Sequence, residues 1–315
     1  MLPGTEIHNT WQAALPGQSG NIVKGTAMNS ETPNYILTAT CKGVIGSLDV
    51  VTRFLCEREC YVHEMHTFDD TNAERFFIRV EFKNDSANAL PIDELKRQFE
   101  DAAASFDMKW ELRDASVPEK VVILVSKYDH CLQDILYRYR TGALNIEIQA
   151  IISNHPDLQD LAEWHGIPYH HLPITPETKP QQEAQMMEII EAAGADLVVL
   201  ARYMQVLSND LCNKLEGRAI NIHHSLLPGF KGAKPYHQAY DKGVKLVGAT
   251  AHYVSSDLDE GPIITQGIEP VDHSYTPEML VAKGQDTERM TLNKAIKMHV
   301  EQRVFLYGNK TVVFS

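Results

Sequence analysis

Between residues 121 and 223 the sequence repeats one rhythm: a short apolar run, then a stretch with apolar residues at helical spacing. A run such as Val121-Val-Ile-Leu-Val-Ser126 has no polar face, so the strand it forms must be covered on both sides. Strands are likewise expected at 146–153, 169–172, 197–201 and 219–223. The segments 131–139, 158–165, 176–193 and 209–215 read as helices, and Gly166 and Gly194 stand where two of them should end. This alternation predicts an α/β unit with a Rossmann-like, mostly parallel sheet and helices on both faces. Ligands of such sheets lie beyond the carboxyl ends of the strands. The 219–223 run reaches such an end as Asn221-Ile-His223-His-Ser-Leu-Leu-Pro228.

Before this unit the pattern differs. Residues 35–40, 61–68, 75–82 and 108–112 read as strands, with Asp69-Asp-Thr-Asn72 as a hairpin turn. Residues 43–57 carry Val44, Leu48, Val51 and Leu55 at helical spacing, and Pro91 opens a second helix reaching about residue 106. Strand–helix–strand–strand–helix–strand over about eighty residues is the ferredoxin-like arrangement. With Gly46 opening the first helix and the Arg75-Phe-Phe-Ile-Arg-Val80 strand, the segment resembles an ACT domain. The resemblance implies pairing with a second copy, hence a dimer or tetramer, or an amino-acid effector. The Cys41-Lys-Gly-Val-Ile-Gly46 loop lacks the Asp and both Pro of the usual Cys-Pro-Asp-Arg-Pro-Gly, which weighs against the effector.

The expected organisation is therefore a disordered extension over 1–32, an ACT-like domain over 33–114, a linker over 115–119 and a catalytic domain over 120–315. The first thirty residues have neither the charged start nor the apolar core of a secretory signal. A formal net charge of −13 argues against nucleic acid as a partner. No apolar run approaches the roughly 18–20 residues that span a bilayer. Five cysteines without a CxxC pair suggest neither a disulfide framework nor a zinc site, which fits a reducing, cytoplasmic setting.

Asn221 and His223 lie two apart on a strand and so point the same way. An amide beside an imidazole suits stabilising the oxyanion that forms on an attacked carbonyl. The carboxylate-rich turn His252-Tyr-Val-Ser-Ser-Asp-Leu-Asp259-Glu-Gly-Pro262 can bring an acid to that imidazole. Adjacent strand residues face opposite ways, so His170-His171 and His223-His224 are not expected to chelate, and no metal is expected. Ile222 and His224 read as packing on the opposite face. The turn after the first strand, Ser126-Lys-Tyr-Asp-His-Cys131, has no glycine and an acid in the middle, which disfavours a phosphate there.

Asn221-Ile-His223, Ser225-Leu-Leu-Pro228 and the His252…Asp259 spacing resemble the formyltransferase-type folate enzymes. Among these, the chain is similar to the formyltetrahydrofolate deformylases. That likeness rests on Ser126-Lys-Tyr-Asp-His-Cys-Leu132, Ser153-Asn-His-Pro-Asp157, Tyr169-His-His-Leu-Pro173, Ala201-Arg-Tyr-Met-Gln-Val-Leu-Ser208, Gly232-Ala-Lys-Pro-Tyr-His-Gln-Ala239 and Gly308-Asn-Lys-Thr-Val-Val-Phe314. The resemblance implies cofactor-free hydrolysis of 10-formyltetrahydrofolate to tetrahydrofolate and formate, supplying formate for purine synthesis. Asn221, His223 and Asp259 match the family's catalytic trio. Asp259 would keep His223 protonated, orient water and assist proton transfer. Arg202, Met204, Gln205, Val206 and Leu207, with His252, Val254, Ser256, Asp257 and Glu260, match walls of the pterin pocket. Purine-pathway formyltransferases resemble Gly-x-Gly-Ser-Asn at the first turn, where this chain has no glycine. A formyltransferase acting on a non-phosphorylated amine, and a catalytically inactive folate or amino-acid sensor, are the alternative readings.

Overall fold

A computed structural model describes residues 33–84, 89–229 and 235–315. The extension assigned to residues 1–32 lies outside the described residues. Strands β1 (Asn34–Cys41), β2 (Tyr61–Asp70), β3 (Arg75–Lys83) and β4 (Lys109–Asp114), with helices α1 (Ser47–Glu57) and α2 (Ile92–Ala104), build an antiparallel sheet in the order β2-β3-β1-β4. This is the ferredoxin-like arrangement expected. The first helix begins later than its apolar spacing suggests. Gly46 adopts φ 96°, a left-handed conformation suited to glycine, and the Ser47 hydroxyl accepts from Val44 N–H at 3.1 Å. Residues 43–46 are therefore a loop, and Val44 is half exposed instead of packed.

The second sheet holds β5 (Glu119–Val125), β6 (Ile146–Ser153), β7 (Tyr169–His171), β8 (Leu197–Leu200), β9 (Ala219–His223), β10 (Leu246–Tyr253) and β11 (Ile263–Pro270). Their order is β11-β10-β9-β8-β5-β6-β7, parallel from β9 to β7 and antiparallel through β10 and β11. The β5 run explains its own composition. Val121, Ile123 and Val125 pack toward α3 (His130–Arg140), α4 (Gln159–Trp164) and α8 (Pro277–Val300), while Val122 and Leu124 pack toward α5 (Lys179–Ala192) and α6 (Asn209–Lys214). A strand with helices on both faces has no solvent side to leave polar. Helix α7 (Pro235–Lys242) joins a separate small cluster through Tyr236 and Ala239 with Val247, Val271 and Leu280. Helix α5 starts three residues later than its sequence pattern, where Thr175 N–H donates to the Thr178 hydroxyl at 2.9 Å. No helix among the described residues is long and apolar enough to cross a membrane. No disulfide joins the five cysteines.

The hairpin β12 (Val304–Tyr307) and β13 (Lys310–Val313) ties the two sheets together. Phe77 of β3 meets Phe305 edge-on at 5.6 Å, and Phe314 completes the cluster. Beside it Arg79 is fully buried. Its Nε donates to the Glu301 carbonyl at 2.9 Å, and its other nitrogens pair with Glu64 and Glu81. Glu119, taken from sequence as the last linker residue, already belongs to β5. Its carboxylate accepts from Arg113 of β4 at 2.6 Å and from Gln302 at 3.1 Å. Burial outweighs these partners and pushes the Glu119 carboxyl up to about 7. Nearby His299 is pushed down to about 4, first by burial and then by Arg113.

A carboxyl that titrates near 7 when folded and near 4.5 when unfolded stabilises fully below pH 4.5 and loses that contribution as pH rises through 7. The loss amounts to about 3 kcal/mol. His299 contributes the opposite slope, stabilising above its unfolded value, but is common to wild type and a Glu119 variant. Urea unfolding across pH 4.5–8 should therefore show Glu119→Gln gaining on the wild type as pH rises. Parallel stability–pH curves for the two proteins would contradict a buried, perturbed Glu119.

Candidate active site

The site grows from the antiparallel seam between β9 and β10. Register places His252 opposite Asn221 and Thr250 opposite His223. Ile220 and Ile222 pack with Ala249, Ala251 and Tyr253 in the cluster facing α8, so Asn221 and His223 turn to the other side. The loop after β9 is fastened by polar contacts. The Thr250 hydroxyl donates to the Ser225 carbonyl at 2.8 Å and accepts from Leu227 N–H at 3.0 Å. Gln266 Nε2 reaches both the Leu227 carbonyl and the Thr250 hydroxyl. The Leu227–Pro228 peptide is cis.

Asp259 comes from the turn between β10 and β11. Its Oδ1 lies 3.1 Å from His223 Nδ1 and 3.9 Å from His252 Nε2. Burial alone would raise the Asp259 carboxyl, but pairing with His223 and the nearby His252 and His224 rings hold it below its usual range. The turn is tight by construction: Asp259 adopts φ 58°, and a Cβ on Gly261 would meet the Tyr253 carbonyl oxygen at 1.8 Å. Tyr253 N–H donates to the Pro262 carbonyl at 2.9 Å, closing the turn onto the strand. His223 is buried, and its Nε2 has no hydrogen-bond partner among the described residues.

His252 is assigned from sequence to the pocket wall, and its ring nitrogens are both engaged with protein. Nδ1 lies 2.8 Å from the Tyr253 carbonyl, an acceptor only, so Nδ1 carries the proton. Nε2 lies 3.2 Å from Asn221 Nδ2, a donor, so Nε2 accepts and the ring is neutral. Burial, the largest influence on it, lowers its affinity for a proton in agreement. His252 thereby fixes which way the Asn221 amide faces and leaves its second N–H to point elsewhere.

The other wall candidates fall into two segments. Leu207 and Val254 are buried in one apolar cluster with Tyr203. Met204 and Val206 are about half exposed, Gln205 is intermediate, and Ser256, Asp257 and Glu260 are exposed. Ser126 positions the first segment: its hydroxyl accepts from Met204 N–H at 2.9 Å and donates to Asn154 Oδ1 at 2.6 Å. Arg202 turns away from this wall. It is 9% exposed, with Nη1 2.5 Å from His224 Nδ1 and Nε 3.2 Å from Glu288 Oε2.

His224 departs from the opposite-face expectation. β9 ends at His223, so strand alternation no longer applies, and the two rings stack at 5.0 Å with 24° between planes. Burial first, then Arg202 and His223, push His224 down to about 4. Sequence reading also missed Glu288, His130 and Tyr236, which belong to elements far apart in the chain. His130 Nε2 and Tyr236 Oη each meet the buried Glu288 carboxylate, at 2.8 and 2.7 Å. His130, Cys131 and Glu288 have metal-ligating atoms close together. With the Arg202 cation already on the same carboxylate, the donor set suits an ion pair better than a bound cation.

The family model described as Formyl transferase matches residues 119–296. A formyltetrahydrofolate deformylase of Corynebacterium sp. (strain P-1) is 54% identical over 284 residues, covering 90% of this chain and 99% of its own. The crystal structure of a formyltetrahydrofolate deformylase from Pseudomonas putida KT2440 superposes with a TM-score of 0.84 at 56% identity, over 89% of this chain and all of that one. The chain belongs to the formyltetrahydrofolate deformylase family. A glycinamide ribonucleotide transformylase from Symbiobacterium toebii is more distant, at 31% identity and a TM-score of 0.59 over 63% of this chain and 95% of its own.

Because the Tyr253 carbonyl supports both Gly261 and the His252 ring, Gly261→Ala should disturb the pair together. Long-range proton–nitrogen spectra of the imidazoles are expected to show wild-type His252 as a single neutral Nδ1–H tautomer. The variant should lose that signature and about 1–3 kcal/mol of stability through overpacking. An unchanged His252 spectrum in the variant would break the proposed link.

Proposed function

We propose that this protein hydrolyses 10-formyltetrahydrofolate to tetrahydrofolate and formate, with groups of its own chain carrying each step. The observation behind this reading is His223 Nε2. It is buried and unpartnered, with Asp259 3.1 Å from the other ring nitrogen and Asn221 on the same face of the strand. A carbonyl oxygen placed between Nε2 and the remaining Asn221 N–H would meet two donors. Family membership supports the identity of the carbonyl as the N10 formyl group.

Water adds to the formyl carbon and the carbonyl becomes a tetrahedral oxyanion. Asn221 and a protonated His223 stabilise that charge, each preorganised donor contributing about 2.7–4 kcal/mol in comparable sites. Asp259 holds His223 in orientation through Nδ1. Its second oxygen orients the water and receives its proton. Collapse breaks the carbon–N10 bond; N10 takes a proton and formate leaves. The pterin would lie against the 203–207 and 254–260 segments, whose half-exposed Met204, Val206 and Leu258 offer apolar surface.

The decisive assay supplies 10-formyltetrahydrofolate to EDTA-treated protein without any amine. Formate release is expected; no release, or release only after an amine is added, overturns the reading. Asp259→Asn should lower kcat by about 10²–10⁴ and Asn221→Ala by about 10²–10³. Folate binding measured by calorimetry should stay within a few-fold of wild type in both. Near-normal kcat in Asp259→Asn would remove the acid–base role given to that carboxylate.

A further inference from the structure

The hydrolytic reading leaves one buried polar cluster without a task. Glu288, only 1% exposed, meets His130 of α3, Tyr236 of α7 and, as an ion pair, Arg202 of the segment after β8. Burial would raise its carboxyl, but these partners hold it below the usual range, so it stays an anion opposite the Arg202 cation. Arg202 in turn reaches the Tyr128 ring, 5.2 Å from its guanidinium carbon, and His224, whose ring stacks on His223. The cluster thus abuts the reaction centre on the side of the His224 ring.

That side matters for the nucleophile. An acceptor larger than water needs room for the body behind its attacking atom, and the pterin side is taken by the substrate itself. Beside His224, Tyr128 of the Ser126–Cys131 turn, Arg202 and Glu288 of α8 pack on one another, and Asp129 stands at the amino end of α3, where an anionic acceptor would otherwise be favoured. The Arg202 backbone is informative too. Its φ is 65°, a left-handed conformation that glycine adopts without strain and arginine does not. A bulky cation is kept where the backbone alone would favour no side chain.

We propose that the Arg202–Glu288 pair, covered by Tyr128 and His224, is a specificity element that keeps amines out of the acceptor position and reserves the formyl carbon for water. This rests on the hydrolytic reading above. Volume excludes the body of an acceptor, and a guanidinium already paired with Glu288 offers it no partner. With an amine admitted, its nitrogen would attack the formyl carbon, the carbon–N10 bond would break, and the proton lost by the amine would go to N10. The products would be an N-formyl amine and tetrahydrofolate, with no further reactant needed.

The test follows a ¹³C-formyl substrate by NMR in the presence of excess glycinamide, comparing wild type, Tyr128→Gly and the double variant Arg202→Gly/Glu288→Gln. The double change removes both charges together, and glycine suits the φ at 202. Wild type is expected to give formate alone. The variants should raise the ratio of N-formylglycinamide to formate at least ten-fold over wild type. If the double variant does not fold, the half-exposed rim residue in Tyr128→Gly decides the matter. A ratio unchanged in folded variants, equal loss of both products, or formylglycinamide from the wild type would each overturn the proposal. Absence of formate from the wild type without amine would instead defeat the hydrolytic reading, so the two failures are distinguishable.

Discussion

The site depends on the register of β9 against β10. Antiparallel pairing sets Asn221 directly across from His252, and side chains facing each other across such a pair lie close enough to bond. A shift by one residue would turn Asn221 and His223 into the apolar cluster under α8 and bring Ile222 to the site. The register is held from both sides: Ile220, Ile222, Ala249 and Ala251 are buried in one core, and Thr250 fastens the Ser225–Leu227 loop. The neutral His252, the direction of the Asn221 amide and the arrival of Asp259 all follow from it.

Two buried glutamates show how partners decide the fate of a desolvated carboxyl. Glu288 has a full guanidinium, an imidazole and a phenol within reach and stays low. Glu119 is raised to about 7 first by burial; Arg113 approaches it, yet Asp196 and Glu111 add negative charge nearby and one of its oxygens has no hydrogen bond among the described residues. Both sit between parts remote in sequence: Glu288 joins the segment after β8, α3 and α7 to α8, and Glu119 joins β4 to the end of α8. Burying an ion pair is not a large stabilising device in itself, but removing one member leaves the other buried and uncompensated. Such pairs therefore fix which surfaces may meet, and here they sit where one part of the molecule bears on another.

Much of this was legible in the residues. The β5 run could only be a strand covered on both faces, and β6 and β9 have the bounds their apolar runs predict. Asn221, His223 and Asp259 were readable as candidates for one site, and Asp259 lies 3.1 Å from His223, which shares a strand face with Asn221. What misled was local. Val44 fits a helical stripe, yet Gly46 and Ser47 make the preceding residues a loop. His224 was assigned by strand alternation to the far face, but alternation stops where β9 ends.

The sequence by itself determined the parallel strands β5 to β9 in their order along the chain and the residue types of the candidate trio, because periodicity and turn chemistry are properties of neighbours in the chain. Only the tertiary structure decided that Arg202 faces Glu288, that His252 bonds to Asn221, and that α8 meets the turn after β5. Those outcomes depend on partners from 31 residues apart, as with Asn221 and His252, to 158 apart, as with His130 and Glu288. No local pattern encodes such a meeting; it is selected when the whole core packs and each buried charge must find its counterpart.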